Sequence, residues 1–318
     1  EFTYDAEQAL TANAFSRTGY TFKEWTTNAD GTGTAYADKA TVKNLATEGT
    51  VTLYAQWTPN KYTVKFDANK GTGTMADQEF TYDAEQALTA NAFSRTGYTF
   101  KEWTTNADGT GDKYADKATV KNLATEGSVT LYAQWTANKY TVTFNANGGT
   151  DAEPASKPVT YDAAYGPLAA TSRKGYTLVG WFTAKDGGTK VESTTVVATA
   201  DDHTLYAHWT PNTYNYEIHY YVQQPDGSYV EDASALDTTK SGTFDSTVTV
   251  TPDANKYGAH FSVNNTKSKL SGVVTVNTPA EILKLEVYYD RDFHTLTYLD
   301  SRNGSVIGTT TVRCGVSV

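Results

Sequence analysis

The chain has 318 residues, 39% hydrophobic and 13% aromatic, with 23 Tyr and 6 Trp against one Cys and one Met. A single thiol excludes an internal disulfide framework, and no apolar run approaches the roughly 20 residues of a membrane-spanning helix. The net charge of −10 is carried with scattered Lys and Arg, which argues against a nucleic-acid or anionic-membrane surface.

The chain opens on "EFTYDAEQ", with neither Met nor a leader pattern, and reads as a piece of something longer. "DAEQAL" (Asp5–Leu10) is expected to form one or two helical turns capped by Asp5, and "ADKATVKNLA" (Ala37–Ala46) the same. Between them lies "GYTFKEW" (Gly19–Trp25), a strand signal in which Gly19 suits a backbone that a Cβ would oppose. Regular alternation puts Tyr20 and Phe22 on one face and Trp25 on the other. A turn starts directly after Trp25, so the indole is free to swing onto the core edge. "NADGTG" (Asn28–Gly33) supplies that turn, and "VTLYAQW" (Val51–Trp57) alternates as a half-buried strand. "TPNK" (Thr58–Lys61) then leads into "YTVKF" (Tyr62–Phe66), another alternating strand.

From Glu79 the chain repeats itself. Glu79 to Trp135 aligns with Glu1 to Trp57 without a gap, and only Thr34/Asp112, Ala35/Lys113 and Thr50/Ser128 differ. A more distant copy carries "GYTLVGW" (Gly175–Trp181) and closes on "LYAHW" (Leu205–Trp209). Fixed-period self-similarity marks a modular array. The first module lacks a counterpart of Lys61 to Gln78. The expected modules are 1–58 (N-terminally truncated), 59–137, 138–211, a different module over 212–292, and the start of a further, truncated one over 293–318. Junctions of four residues, "TPNK", "TANK" and "TPNT", leave little slack and predict semi-rigid neighbours in an elongated rod.

The Gly-Tyr-Thr-Phe-x-x-Trp block, the Gly-rich turn and the Leu-Tyr-Ala-x-Trp close resemble the Listeria–Bacteroides (internalin B-type) repeats of bacterial surface proteins, over Glu1 to Thr210. Tyr214 to Asp292 resembles mucin-binding-protein-like modules through "YYVQQPDGSYV", "LSG" and "VYYDR". The resemblance implies a mainly β (α+β) chain of small β-grasp-like modules. It also implies an extracellular setting, at the bacterial cell surface or wall or secreted, and often below an adhesive tip.

Chemistry is sparse. The five His lie outside the first two modules, and no HExxH, CxxC, P-loop or GxSxG pattern occurs. His208, on an alternating strand, reads as a solvent-facing residue. Asn, Asp and Gly in the turns are explained by turn geometry without Ca²⁺. No catalytic, cofactor-binding or metal residues are assigned, and no cofactor is expected. The aromatics read as core: Phe22, Trp25, Leu53 and Trp57; Phe100, Trp103, Leu131 and Trp135; Leu178, Trp181, Leu205 and Trp209. The rival reading makes the rings an exposed sugar platform. The expected function is therefore a non-catalytic stalk, against a multivalent array gripping a host-surface protein or glycan, or the accessory tail of a secreted enzyme. Neither nucleic-acid binding nor membrane insertion is expected of this segment, and it is expected to be monomeric.

Overall fold

A computed structural model describes residues 1–315; the last three residues of the expected fifth module lie outside it. The chain forms two compact units. One comprises Glu1–Thr141, Pro158–Ala164 and Val196–Asp202; the other comprises 142–157, 165–195 and the chain from His203 onward. Each is all-β: no helix occurs among the described residues, and no sheet closes into a barrel.

The second repeat shows the full plan. Its opening strand Lys61–Asp67 alternates Tyr62, Val64 and Phe66 inward. It lies parallel to the closing strand Gly127–Ala137, with Tyr62 to Asp67 in register with Gly127 to Tyr132. Gln78–Thr81 pairs antiparallel on the outer side of the opening strand. Tyr98–Thr104 pairs antiparallel with the closing strand, and Lys113–Tyr114 completes a five-stranded sheet. A parallel pair needs a long connection, and the whole module is threaded between these two strands. Tyr62, Val64, Phe80, Leu88, Trp103 and Leu131 form the core beneath.

The first repeat, nearly identical from its first residue to Trp57, has no counterpart of Lys61–Asp67 in the chain. Its sheet has three strands, Ala35–Tyr36, Tyr20–Thr26 and Tyr54–Pro59.

The expected helical turns do not form. Asp5, Lys39 and Asn44 take positive φ of 65°, 61° and 52°, the left-handed region that ends a right-handed run. Asp5 does not cap a helix. Its amide donates to Asn44 Oδ1 at 2.6 Å and Asn44 Nδ2 donates back at 2.9 Å, tying two loops together. In place of helices, Gln8–Ala9 bridges Thr41–Val42.

In the second unit, Val142–Asn145 runs parallel to His203–Tyr206, and Tyr176–Phe182 pairs antiparallel with the closing strand His203–Pro211. The fourth module reuses the scheme with different residues. Thr213–Gln223 lies parallel to Lys284–Arg291, Asp237–Thr243 flanks the first, and Phe261–Val263 flanks the second. Its core is Tyr216, Ile218, Val274, Leu283, Leu285, Val287 and Tyr289. Phe293–Leu299 and Val306–Arg313 follow as an antiparallel hairpin.

Candidate functional site

Among the described residues one polar arrangement recurs, a joint between successive modules that is built three times. Each joint centres on the Asn of the short linker. Asn60 donates its N–H to Gly19 O at 2.9 Å and accepts from Tyr82 N–H at 2.8 Å. Its side-chain Oδ1 accepts from the Thr21 hydroxyl at 2.6 Å. One residue thus hydrogen-bonds the preceding module through Gly19 and Thr21, and the following one through Tyr82.

Rings close over this backbone bridge. Gly19 has φ +74°, and a Cβ built on it would stand 2.4 Å from the Tyr82 ring. Glycine is required here for both conformation and space. Tyr20 packs edge-on against Tyr82 at 5.8 Å, the Arg17 guanidinium lies 3.7 Å over the Tyr20 ring, and Tyr20 Oη donates to Asp83 Oδ2 at 2.8 Å. That bond raises the Tyr20 pKa above the usual tyrosine value. The Asp83 carboxyl is lowered, first by the Asn122 amide and then by Tyr20.

The second joint repeats the set with Asn138, Gly97, Thr99, Tyr98, Arg95, Tyr161 and Asp162. Its Tyr98–Asp162 bond is 2.7 Å and Arg95 lies 3.6 Å over Tyr98. The third uses Asn212, Gly175, Thr177, Tyr176, Arg173, Phe244 and Asp245, with Phe in place of the covering Tyr.

The expected core residues divide. Trp103, Leu131, Trp181 and Leu205 are buried. Phe22, Leu53, Phe100 and Leu178 are half-buried, as are Trp25, Trp57, Trp135 and Trp209. Trp25 does come round to the Phe22 side, as the core reading requires, because the strand is not regular. A β-bulge at Lys23 shifts the phase, so Phe22 pairs with Trp57 while Glu24 pairs with Gln56, and the Phe22 and Trp25 rings meet at 5.1 Å. Lys101 and Val179 occupy the corresponding bulges. The closing Trp packs at the core's edge, Trp135 against Phe100 and Trp57 against Phe22, and has a second task as well. Trp135 Nε1 donates to Ala68 O and Trp209 Nε1 to Ala146 O, each at 2.9 Å, pinning the Gly-rich turn that follows the opening strand.

His208 does not face solvent freely. It is half-buried, stacked on Phe182 at 3.9 Å, with Nε2 3.0 Å from Ala184 O. The turn carboxylates are engaged locally: Asp30 and Asp108 each accept from the amide and hydroxyl of the Thr two residues on. That bonding holds both carboxyls below the usual range.

Sequence patterning alone does not single out the joint residues, although a signal is present. Asn holds the third position of every linker, and an aromatic–Asp pair recurs as Tyr82-Asp83, Tyr161-Asp162 and Phe244-Asp245.

The Listeria-Bacteroides repeat domain matches at residues 1–56, 62–134 and 140–208. Among curated proteins, the chain is 33% identical over 225 residues to a "Putative Gly-rich membrane protein" of Evansella cellulosilytica, covering 69% of this chain and 25% of that protein. It is 40% identical over 119 residues to Internalin H of Listeria monocytogenes, covering 37% of this chain and 20% of that protein. The chain thus spans about a quarter or less of these relatives. With three matches that together take in more than half of its residues, this chain belongs to the Listeria-Bacteroides repeat family.

Proposed function

We propose that this chain is a non-catalytic spacer segment of a bacterial cell-surface or secreted protein, holding a functional end away from the cell envelope. One observation carries the reading: the same inter-module joint, with Asn, Gly, Thr, Tyr, Arg and Asp in the same roles, is built three times. A linker free to flex would need none of these contacts. A repeated joint suits a segment that sets direction and distance. The names of the relatives, an internalin and a membrane protein, fit a place in the envelope. In this reading residues 212–292 are a mucin-binding-protein-like module continuing the array. The competing sugar-platform reading requires exposed indoles, and Trp103 and Trp181 are 0% and 2% exposed.

Small-angle scattering of the monomeric chain tests the spacer. Four modules end to end, each about 25–30 Å across, give a radius of gyration near 30 Å, whereas a single globule of this length gives about 20 Å. A value near 20 Å would remove the spacer reading. Tyr20→Phe combined with Tyr98→Phe should broaden the distance distribution without unfolding any module.

A further inference from the structure

A fourth joint follows the fourth module, and it keeps the backbone of the other three while changing the side chains. Asp292 takes the place of the linker Asn. Its N–H donates to His260 O at 3.0 Å, and its carbonyl accepts from Cys314 N–H at 2.9 Å. Ser262 Oγ reaches Asp292 Oδ1 at 3.1 Å, as Thr21 reaches Asn60. By this alignment His260 stands where Gly19, Gly97 and Gly175 stand, just before the strand that flanks the closing strand. Cys314 stands where Tyr82, Tyr161 and Phe244 stand. His294, two residues past Asp292, stands where Tyr62, Tyr140 and Tyr214 stand. The Arg–Tyr–Asp set is gone as well, its positions held by Gly258, Phe261 and Gly315.

The three replacements converge. One ligand atom from each of His260, His294 and Cys314 lies within 4.8 Å of the others. Cys314 Sγ and His294 Nε2 are in direct contact, and the two imidazole rings are 5.7 Å apart at 74°. The chain's only Cys and two of its five His are thus brought to one point.

We propose that this joint is a transition-metal site of the zinc class, in which a divalent ion held by Cys314, His260 and His294 replaces the ring-over-glycine packing of the other joints. One thiolate and two imidazoles form a donor set that prefers Zn²⁺ to Ca²⁺ or Mg²⁺. Zn–S near 2.3 Å and Zn–N near 2.0–2.1 Å place the donors of one tetrahedral ion about 3.3–3.6 Å apart, which small side-chain rotations reach from the present spacing. The Cys314 proton is released on binding, and a water completes the tetrahedron. His260 and His294 are exposed, so the ion can enter from solvent. The ligands come from the fourth module, His260, and from the hairpin beyond it, His294 and Cys314. The ion would therefore staple the two, as the Tyr–Asp bond does elsewhere.

The test uses the full chain, reduced and without a histidine tag, titrated with Co²⁺ and then Zn²⁺. One Co²⁺ per chain is expected, with thiolate-to-cobalt charge-transfer absorption that Zn²⁺ abolishes. Cys314→Tyr should remove that absorption. His260→Gly and His294→Tyr should each weaken binding by about 10–100-fold or more. All three install residues that the other joints already carry, so the fold is not at risk. His219→Ala should change nothing, although His219 sits between Glu217 and Glu231. Absence of the charge-transfer absorption in the unaltered chain would overturn the proposal. So would binding of undiminished strength in the two His variants.

Discussion

At the scale of single residues, Trp103 and Trp25 are the same letter in nearly the same sequence with different surroundings. Trp103 is buried against Phe66, Phe93 and Phe100. Trp25 keeps Phe15 and Phe22 and has no equivalent of Phe66. Trp103→Ala should destabilise its module by about 3–5 kcal/mol, the cost of a large aromatic cavity. Trp25→Ala should cost clearly less. Hydrogen exchange of the Gly127–Ala137 and Tyr54–Pro59 amides in the full chain reads the two losses, and equal effects would refute the comparison. The joint offers a second residue-scale prediction, on pH. The folded state raises the Tyr20 pKa, so the Tyr20–Asp83 bond contributes below the ordinary tyrosine value near 10 and is lost as pH rises through the raised one. The folded state lowers the Asp83 pKa, so that contribution is present above about 3.9 and is lost as pH falls through the lowered value. The first joint should therefore loosen at both extremes and hold between them. The Asn60 amide resonance should move at each end of the range and stay fixed from about pH 5 to 9; a shift centred near neutrality would contradict the assignment.

At the scale of strands, much is legible in the sequence. Period-two alternation marks "YTVKF", "VTLYAQW" and "YEIHYYV", and each lies in a strand of the structure, fully or for most of its length. The bulge is not legible, because nothing in "GYTFKEW" distinguishes an extra residue in a strand from a regular one. The joint is hidden for another reason. Asp83 lies 63 residues from Tyr20, and only the fold makes them neighbours. The expected helices fail because a few left-handed residues outweigh weak local propensity. The missing opening strand of the first repeat gives a prediction at this scale. Fusing a second copy of Asn60–Gln78 before Glu1 should add a parallel strand beside residues 49–54, extending the closing strand Tyr54–Pro59 backward as in the second repeat. Trp25 should then become as inaccessible to a fluorescence quencher as Trp103. Unchanged quenching would mean that the edge does not accept the strand.

At the scale of the molecule, the second, third and fourth modules keep one plan although their residues drift. The second and fourth modules share opening, flanking and closing strands with almost no common core residue. What persists is the backbone bridge at the joint, since Asn60, Asn138, Asn212 and Asp292 all donate and accept in the same sense. The bridge uses main-chain atoms, so its geometry survives substitution, and the surrounding side chains are left to adjust how firmly each joint is held.

The parallel pairing of opening and closing strands has a mechanical consequence. A pull on the two ends of the second repeat acts in opposite directions along neighbouring strands. Tyr62 to Asp67 must then slide past Gly127 to Tyr132, and their hydrogen bonds are loaded together rather than one after another. Resistance to such shear is governed by the unfolding barrier, not by equilibrium stability. The first repeat, without an opening strand, has no such clasp. In single-molecule stretching of the chain it should yield first and at lower force, while the second repeat extends in a separate, later step. The same parallel pairing in the third and fourth modules sets them against a pull in the same way.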